Sequence, residues 1–184
     1  VLQGKATLHA DNVAPYELIR PYMTWNWNGP SLETMSKSEK DALNASWASL
    51  LDFCSDEDML AVVDTSGSMH SSYGLPAAVA LSLGLYLAEH NKGRFRNHFI
   101  EFSERPQLIR LKGETFVDKL RYILTFDEIA DTNLEAVFQL ILCVAVKNKL
   151  PQKELPGKLV IISDMEFNVC VTNASETNFE NARR

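Results

Sequence analysis

Met59-Leu60-Ala61-Val62-Val63-Asp64-Thr65-Ser66-Gly67-Ser68-Met69 decides how this chain is read. Its first five residues form an apolar run of the length of a buried strand, and the run ends on a carboxylate. Two hydroxyls, Ser66 and Ser68, then follow at alternate positions around Gly67, whose missing side chain lets a tight turn form. Mg²⁺ takes near-octahedral oxygen ligands and gives up its water reluctantly. One carboxylate and two small hydroxyls on a turn therefore suit it better than a rigid all-protein cage.

Outward from this stretch, apolar strand-like runs alternate with helical periods from residue 58 onward. That alternation predicts an α/β fold: a Rossmann-like, doubly wound, mostly parallel sheet. The strands are expected at Met59–Asp64, His98–Phe102, Gln107–Leu111 and Lys158–Ser163. Gln107–Leu111 follows its neighbour across only Glu104-Arg105-Pro106, too short for a crossover helix, so it is predicted as one antiparallel edge strand. Leu75 to Glu89 is apolar almost all round and should be buried on more than one side. Leu134, Val137, Phe138, Ile141, Leu142, Ala145 and Val146 recur at three and four, marking an amphipathic helix on the sheet. Thr115 to Leu124 is a shorter helix with Phe116, Leu120 and Ile123 facing inward.

Residues 1–57 read differently, as an amino-terminal arm and helix packing on a domain of residues 58–184. All three tryptophans lie there, and Pro15, Pro21 and Pro30 break the stretch 15–30 too often for one long helix. Lys37 to Phe53 reads as a helix opened by Ser36 or Ser38, with Leu43, Trp47, Leu50 and Leu51 at helical spacing. An arm packed on the domain is the plain reading, and a peptide-binding aromatic surface the alternative.

The 184 residues suffice for one domain with a full core. An apolar fraction of 46% and a charged fraction of 23% exclude a mainly disordered chain. A net charge of −6 with no basic stripe argues against direct nucleic-acid binding. Cys54, Cys143 and Cys170 follow no ligand spacing and read as small buried hydrophobes in a reducing, cytoplasmic setting. Neither a secretory signal nor a membrane span is expected. His9, His70, His90 and His98 show no ligand spacing, and His70 reads as a solvated loop residue.

Three places can bring oxygen ligands to the carboxyl ends of the strands, where open α/β sheets put their sites. They are Asp64 with Ser66 and Ser68, then Asp131-Thr132 before the amphipathic helix, then Asp164 after Leu159–Ser163. Each has a plainer reading. The serines could simply begin a helix, Asp164 could be a polar strand end, and Thr132 could cap its helix with Glu135 answering it.

Together, Asp64-Thr-Ser66-Gly-Ser68-Met, Thr132 and Ser163-Asp164 resemble the metal-ion-dependent adhesion site of von Willebrand factor A-type domains. The wording of VVDTSGSM, TNLEAVFQLIL, AVKN and ISDMEFN is closer still to domain-of-unknown-function family 2828, and more distantly resembles the A-type domain of Ro ribonucleoproteins. The resemblance implies a von Willebrand A-like sheet in which Ser66, Ser68 and Thr132 ligate the cation directly. Asp64 and Asp164 would act mostly through bound water and hydrogen bonds to the hydroxyls, and an acidic group of a partner would complete the shell. Asn168 stands where that pattern usually has a further Asp. The resemblance also implies further strands beyond Arg184, which would leave Lys158–Ser163 as a long apolar edge. The arm, a partner chain or a carboxy-terminal piece is expected to cover it, and association through that edge is one such route.

The function expected is a non-enzymatic protein-binding module. It would use Mg²⁺, with Mn²⁺ or Ca²⁺ as other cations, to take an Asp or Glu from a protein partner, without a membrane. A Mg²⁺-dependent phosphohydrolase of haloacid dehalogenase type, with Asp64 as nucleophile, is the alternative; it needs a second carboxylate two residues on, where this chain has Ser66. A purely structural metal site is the third reading. Ser66 as a hydrolase nucleophile lacks the Gly-x-Ser-x-Gly elbow.

Overall fold

The computed structural model describes residues 13–23, 29–54, 58–103, 105–126 and 133–165. Among these residues four strands form one sheet in the order β3-β2-β1-β4, namely β1 Met59–Asp64, β2 His98–Phe102, β3 Gln107–Arg110 and β4 Lys158–Ile162. β1 is central and runs parallel to both neighbours, with Val63 opposite Glu101 on one side and Ile162 on the other. β3 is antiparallel to β2, pairing His98 with Arg110. Every residue of β1 is buried, as an unbroken apolar run in a strand covered on both faces requires.

The helices are α1 Lys37–Ala48, α2 Ser71–His90, α3 Phe116–Ile123 and α4 Leu134–Lys147. On one face, Ala61, Val63 and Phe99 meet Ala77, Leu81 and Leu85 of α2 and Leu120 of α3. On the other, Leu60, Val62, Ile100 and Phe102 meet Leu134 and Val137 of α4. A mixed α/β chain with a mostly parallel sheet, one antiparallel edge and helices on both faces is consistent with a Rossmann-like fold.

α2 lies close on β1. A Cβ placed on Gly84 would sit 2.3 Å from Cγ2 of Val63, so only glycine permits this approach. Past its end, the Asn91 amide donates to the Met59 carbonyl at 2.6 Å and accepts from Met59 N at 3.4 Å, fixing where β1 begins. Gly67–His90 is long and apolar enough by composition to cross a membrane, but more than half of its apolar window is buried inside the protein, Leu85 fully. Ser72, Tyr73 and Gly74 have left-handed backbone, so regular helix begins where the sequence places it, near Leu75, with Pro76 in its first turn.

Several expectations are corrected. α1 ends at Ala48 rather than Phe53, because the Tyr86 hydroxyl donates to the Leu51 carbonyl at 2.6 Å and accepts from Phe53 N at 2.8 Å, drawing that segment out of the helix. Leu51 therefore turns outward, 55% exposed. The inward face of α4 is narrower than its spacing suggests: Leu142 and Val146 are 59% and 78% exposed, and Cys143 is exposed rather than buried. Of the two described cysteines, half-buried Cys54 alone fits the reading of cysteines as buried hydrophobes, and burial pushes its thiol pKa up. Asn133, not Thr132, caps α4, its side chain accepting from Ala136 N at 3.0 Å; asparagine caps at least as well as threonine, and a start at Leu134 turns Leu134 and Val137 to the sheet.

Within 15–30, the described residues form two short 3-10 turns, Pro15–Leu18 and Arg20–Tyr22, and the first packs on α2. α1 packs on α3, with Trp47 stacked 4.2 Å from Phe116. The described part of the arm thus lies over α2 and α3, while among the described residues β4 pairs with β1 alone. Trp25, Trp27, His9, Asp131, Thr132, Asn168 and Cys170 lie outside the described residues.

Candidate metal centre

The carboxyl end of β1 delivers Asp64 at the point where the strand leaves the sheet. The carboxylate is fully buried, 0% exposed, and each of its oxygens is held. Oδ1 accepts from Ser66 N at 2.8 Å, and Oδ2 accepts a short hydrogen bond from the Ser163 hydroxyl. Both donors are neutral. Among the described residues no charged group meets the carboxylate, and burying a carboxylate without a counter-charge carries a desolvation cost that a cation would offset.

Beyond Asp64 the chain enters a 3-10 turn, Gly67–His70, closed by Met69 N donating to the Ser66 carbonyl at 3.1 Å. Met69 is buried in the core and pins the turn from below. The turn sets the Ser66 and Ser68 hydroxyls 3.2 Å apart. Adjacent ligands of an octahedron with bonds of roughly 2.0–2.1 Å stand about 3.0 Å apart. The two hydroxyls are hydrogen-bonded to each other, at a distance close to one edge of a Mg²⁺ coordination shell.

Asp164 follows β4 at the same end of the sheet and is exposed. Its neighbour Ser163 is the residue that meets Asp64: the parallel register sets Val63 against Ile162 and so brings Ser163 alongside the carboxylate. Ser163 in turn accepts from Met165 N at 2.9 Å, where Met165 takes a left-handed backbone with φ of 66°. The structure thus gathers Asp64, Ser66, Ser68 and Ser163, sets Asp164 one residue beyond them, and leaves Thr132 outside its described part.

Two groups stand at this end of the sheet that the motif did not point to. Glu101, on β2 opposite Val63, is 3% exposed; its oxygens accept from Thr65 Oγ at 3.1 Å and Ser103 Oγ at 3.0 Å. Its signal in the sequence is a lone charge inside the apolar strand His98-Phe-Ile-Glu-Phe102. His70 is not a solvated loop residue but half-buried, with Nε2 3.1 Å from the Thr65 carbonyl, because the 3-10 turn folds it back over the loop. Among the described residues no group of three or more His, Cys, Asp or Glu could hold a metal.

Comparison with known proteins identifies a family other than the one the motif resembles. The matching family is described as domain of unknown function DUF7788 and covers residues 58–184. The uncharacterised protein L728 of Acanthamoeba polyphaga mimivirus is 31% identical over 182 residues, which is 99% of this chain and 30% of that protein. The chain therefore spans less than a third of the length of that relative. No solved structure matches. The assignment by resemblance to von Willebrand A-type domains, family 2828 and the Ro proteins is thereby corrected. A handful of hydroxyls and carboxylates at strand ends is a motif set by coordination chemistry, and it does not by itself fix a family.

Proposed function

The chain belongs to the DUF7788 family, and from the geometry of its own residues we propose that it is a divalent-cation-dependent protein-binding module. Ser66 and Ser68 give hydroxyl oxygens directly to Mg²⁺, or to Mn²⁺ or Ca²⁺ in its place, and Thr132, assigned from its place in the sequence and not from geometry, supplies a third. Asp64 and Asp164 hold bound water and orient the hydroxyls. Few charged ligands leave the ion's charge under-compensated, so an Asp or Glu side chain from a protein partner is drawn into the remaining position. The module carries out no chemistry of its own: Ser66 occupies the place where a phosphohydrolase of this layout would need its acid. An odd number of cysteines without ligand spacing supports a reducing, cytoplasmic setting.

The observation that carries this reading is the fully buried Asp64, which meets only neutral donors among the described residues beside two hydroxyls at octahedral-edge spacing. Calorimetric titration of Mg²⁺ and Mn²⁺ into the wild type and into a Ser66→Ala, Ser68→Ala double variant tests it. The double variant should lose more than about 100-fold in affinity, since even groups that only orient ligands are worth about 10–100-fold. Equal heats for the two proteins would reduce the serines to turn formers. Water relaxation by bound Mn²⁺ tests the vacant corner: glutarate, as a probe carboxylate, should displace exchanging water from the wild type.

A further inference from the structure

We infer that Glu101 is a positioning residue for the cation site, acting through Thr65 to hold the Asp64-to-Ser68 loop in ligand geometry; this rests on the cation reading given above. Thr65 lies between the carboxylate and the first serine, so its placement sets the distance between them. It is gripped twice. Its hydroxyl donates to Glu101 Oε1 at 3.1 Å, and its carbonyl lies 3.1 Å from His70 Nε2. Thr65 is 1% exposed and Glu101 3%, so water does not compete for the first contact.

Glu101 is itself fixed. It sits within β2, in register with Val63 of β1, and its other oxygen accepts from Ser103 Oγ at 3.0 Å. The carboxylate therefore ties the loop after β1 to the loop after β2, using a strand as its base. Burying a charge in an apolar strand is expensive, but the two hydroxyls occupy both carboxylate oxygens, whereas a glutamine amide offers one acceptor oxygen and turns an NH2 group to the other hydroxyl. A negative charge beneath a loop that carries a divalent ion strengthens the field the ion enters. Groups that orient ligands in this way contribute about 10–100-fold to metal affinity.

Glu101→Gln, Thr65→Val, Thr65→Ser and the Glu101→Gln, Thr65→Val double variant test the assignment. Two quantities are read: Mn²⁺ affinity, and amide hydrogen exchange of residues 65–69 in chelator. Glu101→Gln and Thr65→Val should each weaken Mn²⁺ about tenfold. Thr65→Ser, which keeps the hydroxyl, should stay within about twofold of wild type. The double variant should bind about as well as the weaker single, because both changes cut one connection. Multiplying losses, or a Thr65→Val that binds as wild type does, would overturn the assignment.

The exchange data stand apart from metal. With no Mn²⁺ binding even in wild type, the cation reading fails, and loop exchange still decides the grip. Exchange about tenfold faster in Glu101→Gln, with β1 unchanged, supports it; unchanged loop exchange overturns it. Should Glu101→Gln fail to fold, the contrast of Thr65→Val with Thr65→Ser carries the same decision.

Discussion

Glu89 and Asp64 are two carboxylates held in opposite ways. Glu89, near the carboxyl end of α2, lies 2.5 Å from the Lys119 ammonium and accepts from the Trp47 indole at 2.6 Å. Its charge is balanced, and the result is a latch joining α1, α2 and α3. Asp64, fully buried, takes one backbone N–H and one hydroxyl, and neither partner carries a charge among the described residues. The first carboxylate holds structure together, whereas the second is the one we propose a cation completes.

The contrast can be broken most severely at Asp64. Asp64→Asn should reduce Mn²⁺ affinity by more than about 100-fold, or roughly 2.7 kcal/mol. In chelator the same variant should be more stable, by about 1 kcal/mol, because an amide can serve both Ser66 N and the Ser163 hydroxyl without burying a charge. Scanning calorimetry would show this as a rise in Tm of about 2–4 °C. A fall in Tm would place Asp64 with Glu89 among the structural groups.

Glu89→Ala should do the reverse. It strands a half-buried ammonium and an indole N–H, and should cost about 2 kcal/mol in urea unfolding. Mn²⁺ affinity should stay within about twofold, since the latch and the ion site share no partner.

Gly84→Ala sharpens the comparison, because it disturbs the ground common to both regions. The added methyl would meet stiff Val63 at 2.3 Å and push α2 off β1, costing about 1–2 kcal/mol and a few-fold in Mn²⁺ affinity. Ser163→Ala is the smallest of the set. Loss of one hydrogen bond to Asp64 should weaken Mn²⁺ about fivefold, close to 1 kcal/mol, and lower unfolding stability by about 1 kcal/mol, because it leaves one buried carboxylate oxygen without a donor.

What the sequence discloses about this fold is what neighbouring residues decide. β1 and β2 are bounded by their own apolar runs, β3 is made antiparallel by a link too short to cross over, and α3 starts at Thr115 with Asp118 as its reciprocal cap. The Asp64 turn is equally local, because Asp64, Ser66 and Ser68 reach each other within five residues. Contacts made by pairing distant strands are another matter. That Ser163 rather than Asp164 meets Asp64 depends on a register between segments about a hundred residues apart, and a slip of one residue would exchange them. Glu101 is hidden for the same reason: nothing near it in the chain shows that Thr65 lies alongside. The width of the apolar face of α4 depends on how much sheet lies beneath it, so the exposure of Leu142 and Val146 was not written in their spacing.

The central claim is that a divalent ion sits between the turn after β1 and the end of β4. Anomalous scattering from crystals grown with Mn²⁺ tests it directly. The account predicts a single strong peak bonded to the Ser66 and Ser68 hydroxyls at roughly 2.1–2.2 Å, slightly longer than for Mg²⁺, with Asp64 reaching it through water. Crystals at saturating Mn²⁺ with no peak within bonding distance of either serine would contradict it.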